Sequence, residues 1–311
     1  MAGHKTTLEQ WRILQAVVDH GGYAHAAVAL HRSQSSLNHA VKKLEHQLGV
    51  EMLEVKGRKA FLTEAGEALL RRSRILTETA EGLEKLAENI DMGWEPLLTI
   101  SVEAIYPREL LFRALSRFYP DSRGTRIRII DTVLTGSIEQ IVNNRVDLAI
   151  TGHVPKGYTC EELCRVEFIL VTHRDHELAA FGHNITQQEL VKQMQVVIKD
   201  TAQKPLESQG WLKSDQRWTV DSFERAKQVL KHGLGFCWLP RHEVLQELAS
   251  GEFVALEVDF SSMRTGTVSL VVPEPDVLGP GGKRLYDILM AEGCTANCKK
   301  HLQSIGVNIQ T

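Results

Sequence analysis

AHAAVALHRSQSSLNHAVKKLEHQLGV, from Ala24 to Val50, is the stretch that decides the N-terminal fold. It reads as two short amphipathic helices with almost nothing between them. Ala26, Ala27 and Leu30 give the first an apolar face. After His31-Arg32, Ser33 is a candidate N-cap for the second, because its hydroxyl accepts an amide that the first turn leaves unpaired. In that second helix Leu37, Val41, Leu44 and Leu48 share one face, and Gly49 stands where a left-handed C-cap favours glycine. On the opposite face lie Ser35, Asn38, His39, Lys42 and His46, with no carboxylate before Glu45. Such a face suits the DNA major groove, whose base edges present donors and acceptors. Two helices joined by a tight turn, the second as reader, is the helix-turn-helix arrangement.

The flanking sequence extends this picture. TTLEQWRILQAVVDHGG carries Leu8, Trp11, Leu14 and Val18 at helical spacing and stops at Gly21-Gly22. EMLEVKGRKAFLT predicts a small hairpin turning at Lys56-Gly57-Arg58, a basic tip suited to a phosphate strand. Thr63 then caps a long helical segment in which Leu69, Leu76, Leu83 and Ile90 recur every seven residues, a seam for pairing with another helix. From Leu97 the pattern changes. LLTISV, PRELLFRALSRFY, TRIRIIDT, GSIEQIVNNR and DLAI alternate strand and helix, which implies parallel βαβ units. A second series starts at EFILVTH and runs to FVALEV, and TVSLVV with KRLYDILM closes it. The restart near Glu161–Glu167 and the return near Thr265 predict two α/β lobes. The tail from Gly293 to Thr311 has no clear pattern.

A chain of 311 residues, 43% hydrophobic and 24% charged, has the makings of two or three globular domains. Its formal charge of −3 argues against a wholesale nucleic-acid coat but not against one basic face. No run of about 18 apolar residues is present, so no membrane span is expected. MAGHKTTLEQW lacks the apolar stretch of a signal peptide, and a cytoplasmic protein is expected. Five cysteines, with Cys160/Cys164 and Cys294/Cys298 each spaced C-x-x-x-C and Cys237 apart, read as ordinary reduced thiols rather than a disulfide scaffold or a zinc site. No metal and no cofactor are expected.

Enzyme readings fare poorly. GPGGKR at 279–284 lacks the earlier glycine of a phosphate loop and has Arg284 where Ser or Thr is required. No G-x-S-x-G elbow or H-E-x-x-H helix occurs. His173 and His176 in HRDHE read as solvated residues of a strand-end loop rather than metal ligands. A stand-alone solute-binding protein would need only the lobes, and it leaves the N-terminal helices and the missing export signal unexplained.

The sequence also resembles the LysR-type transcriptional regulators. AAVALHRSQSSLNHAVKKLEHQLGV and GRKAFLTEAG follow that family's AA..L..SQ..LS..I..LE..LG and GR...LT.AG patterns, and the match extends through DLAI and GLGFCWLP. Ser35 replaces the family's usual proline, Asn38-His39 its common Ser-Arg pair, and Val55 an Arg of the wing, so base readout is this chain's own. Peroxide-sensing members carry reactive cysteines in the second lobe's centre, whereas Lys192–Phe236 here contains none. The resemblance implies an N-terminal all-α winged helix-turn-helix (1–63), a long linker helix (64–92) and an α/β two-lobed, periplasmic-binding-protein-like effector domain (93–293), with a tail at 294–311. Lobe I would comprise about 93–163 and 266–293, lobe II about 164–265.

Partners implied are double-stranded promoter DNA, a small-molecule effector and further copies of the chain, as homodimer or homotetramer. DNA contacts are expected from Ser33, Gln34, Ser35, Ser36, Asn38, His39, Lys42, Lys43, Lys56 and Arg58. Read onto this sequence, the effector crevice would be lined by Ser101 and Glu103, Thr132 to Thr135, Thr151 to His153, Asp200-Thr201, Asp221-Ser222 and Phe236. The acids Glu103, Asp200 and Asp221 would repel a simple anion, which favours a zwitterionic, cationic or neutral ligand unless they cap helices or pair with Arg108 or Lys199.

Overall fold

The structure is a computed structural model that describes residues 4–56, 59–181, 184–205, 212–260, 263–294 and 307–308. The chain divides into two compact units, Met1–Asp91 and Met92–Thr311.

In the first unit, Thr7 opens helix α1 (Leu8–Asp19) with a capping box. Its hydroxyl accepts the Gln10 amide while the Gln10 side chain accepts the Thr7 amide. Helix α2 (Tyr23–Ala29) ends at Leu30, and His31, at φ +52°, turns the chain sharply into α3 (Gln34–Leu48). Ser33 caps α3 by accepting the Ser36 amide at 3.2 Å, and Gly49 ends it in the left-handed conformation at φ +70°. Trp11, Leu14, Val17, Leu37, Val41, Leu44 and Met52 form the core. The hairpin follows as β1 (Leu53–Lys56) and β2 (Lys59–Leu62), registered Leu53 to Leu62 and Lys56 to Lys59. Helix α4 (Glu64–Asp91) buries Leu70, Ser73 and Thr77, and Gln15 of α1 donates to both hydroxyls at 3.0 and 3.2 Å. Leu76, Leu83 and Ile90 of its heptad stripe are exposed.

The second unit begins with β3 (Leu97–Glu103), α5 (Arg108–Phe118), β4 (Arg126–Thr132), α6 (Gly136–Val142) and β5 (Leu148–Thr151). β3 runs parallel to β4 and β5 and is buried along nearly its whole length, which explains why LLTISV reads as an unbroken apolar run. β6 (Cys160–His173) leads into the second lobe, built from α7 (Gln187–Val191), β7 (Gln195–Ile198), β8 (Arg217–Val220), α8 (Phe223–Lys231), β9 (Phe236–Pro240), α9 (Leu245–Ala249) and β10 (Phe253–Ala255). β11 (Met263–Val271) returns and α10 (Pro280–Cys294) closes the first lobe, packing on α5.

Each lobe has its own core. Leu98, Ile100, Tyr106, Leu111, Phe118 and Leu285 fill the first; Val171, Leu230, Leu239 and Phe253 belong to the second. The lobes nevertheless share one hydrogen-bonded path of strands, ordered β4-β3-β5-β11-β6-β9-β7-β8. β6 and β11 are long enough to serve both lobes, pairing antiparallel from Met263–Ile169 to Val271–Cys160 with a bulge at Val268/Ser269. EFILVTH marks only the second half of β6. Its first half, CEELCRV, mixes charged and apolar residues because it is partly exposed. The tail also contributes a strand, β12 (Val307–Asn308), paired with β6 at Val166 and Arg165.

Candidate functional site

On α3 the residues Ser33, Gln34, Ser35, Ser36, Asn38, His39, Lys42 and Lys43 are all exposed, while Leu37, Val41 and Leu44 face the core. The helix's single acid, Glu45, is turned inward and nearly fully buried. Its Oε1 accepts the Met52 and Leu53 amides at 2.8 and 3.0 Å, which pins the start of β1 to α3. Lys42 Nζ donates to Glu45 Oε2 at 2.9 Å. Burial alone would push the Glu45 carboxyl up, but Lys42 and the two backbone amides outweigh it and hold the pKa below the ordinary glutamate value. Lys42 is correspondingly raised by that hydrogen bond. Lys42 is thus tied to Glu45, while Asn38, His39 and Lys43 stand in solvent. Lys56 ends β1, and Arg58 lies outside the described residues.

The second unit holds a cavity of roughly 530 Å³ outside the carboxyl ends of β3, β4 and β5, where ligands of open α/β sheets bind. The first lobe contributes Glu103, Ile105, Leu134 and His153; the shared strands contribute Phe168 and Arg264; the second lobe contributes Val197, Phe223 and Trp238. Leu134 is held at φ +53°, a conformation that costs an ordinary side chain energy and clusters at functional sites. Glu103 Oε2 accepts the Gly152 amide, and His153 Nδ1 lies 3.8 Å from Oε1. Burial raises the Glu103 pKa, opposed by bonds from Gly152, Leu134 and Thr151 and by the charge of His153.

Of the residues expected in the crevice, Glu103, Val133, Leu134, Gly152 and His153 line this cavity. The others differ for identifiable reasons. Thr135 donates its hydroxyl to Asp200 Oδ2 at 2.5 Å and its amide to the same oxygen at 3.1 Å, and Thr201 Oγ1 accepts the Val133 amide at 2.9 Å. Those three residues clasp the lobes to each other. Gly136 is required beside them, because a Cβ there would collide with the Thr201 hydroxyl. Thr151 is buried against Ser137, their hydroxyls 2.6 Å apart. Ser101 and Thr132 are buried, with no partner for their hydroxyls among the described residues. Asp221 is exposed and pairs with Arg225 at 2.7 Å, and Phe236 is fully buried among Leu170, Leu178, Ile185 and Leu190. Reasoning from the sequence missed Phe168 and Trp238, which sit inside apolar runs, and Arg264, which precedes one; none carries a periodic signal.

Other candidates resolve locally. In the strand β6, Cys160 is exposed and Cys164 buried, about 13 Å apart along an extended chain, so they do not form a pair. Cys237 is fully buried, which pushes its thiol up to about 12 and leaves it unreactive. Cys294 ends α10, and Cys298 lies outside the described residues. The histidines of HRDHE are partly buried; His173 Nδ1 accepts the Asp175 amide and His176 Nδ1 the Leu178 amide. At GPGGKR the amides of Gly281 and Gly282 donate to the Glu95 carboxylate at 2.9 and 3.1 Å, so that helix start already holds its anion. No helix among the described residues is long and apolar enough to cross a membrane.

A helix-turn-helix unit followed by a two-lobed ligand-binding unit defines a class of one-chain regulators, and the comparisons agree. The model of the lysR-family bacterial regulatory helix-turn-helix proteins matches residues 8–67, and that of the LysR substrate binding domain matches residues 92–293. The chain is 30% identical to the probable HTH-type transcriptional regulator YhaJ of Escherichia coli K12 over 82% of its own length and 87% of that protein's. It is 29% identical to the uncharacterized regulator YeeY of the same strain, over 82% and 84%. The fold matches full-length LysG of Corynebacterium glutamicum with a TM-score of 0.51 at 18% identity, covering 93% of this chain and 98% of that one. The chain therefore belongs to the LysR family of transcriptional regulators, which join a DNA-binding unit to an effector-binding one and are not enzymes.

Proposed function

We propose that this regulator reads promoter DNA through the exposed face of α3. The observation that carries the reading is the absence of any exposed carboxylate on that helix, whose only acid, Glu45, is folded inside. Gln34, Ser35, Ser36, Asn38, His39 and Lys42 meet base edges or nearby phosphates, and Ser33 fixes the helix start beside the phosphate strand. Lys43, Lys56 and Arg58 supply sequence-independent attraction that falls steeply with salt. Leu76, Leu83 and Ile90 pair α4 with a second copy, giving a homodimer or a homotetramer that sets two reading helices on one operator. The protein works in the cytoplasm.

The cavity between the lobes takes the small-molecule effector. A ligand that binds one lobe arrangement better shifts the population toward it and so changes the spacing of the reading helices. Selection of genomic fragments by the purified protein at near-physiological salt, followed by footprinting, tests the whole reading. The expected result is a protected, dyad-symmetric site extending over several helical turns; uniform, sequence-blind protection overturns it.

A further inference from the structure

The charges around the cavity are unequally satisfied. Glu103 already accepts the Gly152 amide, and the Leu134 amide, the Thr151 hydroxyl and His153 also favour its charged form, so Glu103 already has donors inside the protein. Asp200 and Asp221, the other acids that would have repelled an anion, bond to Thr135 and Arg225 and do not line the cavity. Arg264 is the opposite case. Its guanidinium stacks 4.4 Å over the Trp238 ring and has no hydrogen bond or ion pair among the described residues. Partial burial lowers its pKa, as expected for a cation given up by water and not yet met by an anion. Trp238, in the same wall, has a buried indole N–H with no acceptor among the described residues. A guanidinium offers donors in a planar fork and no acceptor. What the wall lacks is a planar anionic acceptor.

Most of the remaining lining is apolar, Ile105, Leu134, Phe168, Val197 and Phe223 among it, with His153, Gln195, Thr265 and Thr267 as its polar members. Glu103 stands as a second charge of opposite sign to Arg264, and it penalises any further negative group on the ligand. An α-amino group would have to sit next to the carboxylate, against Arg264, and is penalised there in turn. We propose that the effector is an apolar monocarboxylate, its carboxylate on Arg264 beside Trp238 and its hydrocarbon body along Ile105, Phe168 and Val197. This rests on the reading of the cavity as the effector site.

The test measures binding to the full chain by calorimetry and thermal shift. The probes are 3-phenylpropionate and 4-methylpentanoate, the alcohol and amine matching each, phenylsuccinate, and L-phenylalanine. Each monocarboxylate binds about tenfold or more tighter than its alcohol, the effect of a charge-assisted bidentate contact. The amines, the dicarboxylate and the amino acid bind more weakly still. Arg264→Gln removes the acid-over-alcohol preference, and Arg264→Lys retains part of it. Glu103→Gln narrows the gap between phenylsuccinate and 3-phenylpropionate. Alcohols or amines binding as well as acids, an acid preference that survives in Arg264→Gln, or no binding of either acid at millimolar concentration overturns the proposal. Val197→Trp, which fills the cavity, separates the two readings. If binding disappears in Val197→Trp but ignores the carboxylate, the site stands and the ligand class fails. If binding of the acids persists in Val197→Trp, the site itself is misplaced.

Discussion

Asn38, His39 and Lys43 come from six consecutive residues of α3 and stand in solvent, whereas Ile105, Phe168, Trp238 and Arg264 arrive at one cavity from both lobes and two shared strands. The helix needs only its own period to place its functional face. Once Leu37, Val41 and Leu44 are buried, the opposite side chains have no choice of direction. The cavity has no such rule. Its lining depends on where loops end and on which side chains the lobes use to hold each other. The two regions should therefore respond differently to mutation and to acid.

The largest effect is expected at Glu45, where a single buried carboxylate positions the hairpin. Glu45→Ala leaves the Met52 and Leu53 amides without an acceptor and should destabilise the first unit by about 3 kcal/mol. Operator binding falls with it, although Glu45 touches no DNA. Denaturant unfolding and binding titration check this, and unchanged stability would leave the hairpin held by other contacts. Because the folded-state pKa of Glu45 lies below the ordinary value, its contribution is complete above the normal glutamate range and is lost as pH falls through the lowered value.

The second unit should weaken at higher pH than that. His242, just after β9, is buried with no hydrogen bond to either ring nitrogen among the described residues, its Nε2 3.8 Å from Glu243 Oε1. Burial lowers its pKa from 6.5 to about 4. Between those values the unfolded chain takes up a proton that the folded one refuses. Stability is therefore present above the unfolded pKa and declines as pH falls, by up to about 3 kcal/mol. His242→Leu should flatten this slope. Hydrogen exchange followed from pH 6.5 downward should show β9 and its neighbours loosening before α3; simultaneous loosening would remove the distinction between the units.

The same contrast decides how far the sequence could be read. Ser33 as N-cap, Gly49 as C-cap and the apolar stripe of α3 are local facts, and the structure has each of them. The α/β alternation from Leu97 is also local, since a parallel strand buried on both faces announces itself as an apolar run. Glu45 was legible only as a member of the LE..LG pattern, because its role requires Met52 and Leu53 to fold back over it. Phe236 and Trp238, two residues apart in GFCWLP, show the limit. The first is closed inside a core and the second lines the cavity, and nothing in an apolar run distinguishes them.

On the proposed reading, the exposed face of α3 divides into readers and attractors. Asn38→Ala should cost about 1–3 kcal/mol on the operator and little on random DNA, which relaxes base preference. Lys43→Ala should weaken binding to all sequences alike and reduce the salt slope by about one. Competition titrations at two salt concentrations separate them. Equal losses for Asn38→Ala on operator and random DNA would move that residue to the backbone-contacting set.

The smallest effect is expected where the lobes clasp. Thr135→Val keeps the shape of the side chain and removes the hydroxyl that donates to Asp200, while the Thr135 amide continues to donate to the same oxygen. One hydrogen bond to a partly exposed carboxylate contributes about 1 kcal/mol. If the clasp holds one lobe arrangement, that loss should appear in effector binding and hardly in the unfolding midpoint, since the two lobe cores are untouched. Tighter effector binding in Thr135→Val would mean that the clasped arrangement competes with the ligand-bound one; weaker binding would mean that the clasp pre-organises it. Only an unchanged affinity would separate these hydrogen bonds from the cavity beside them.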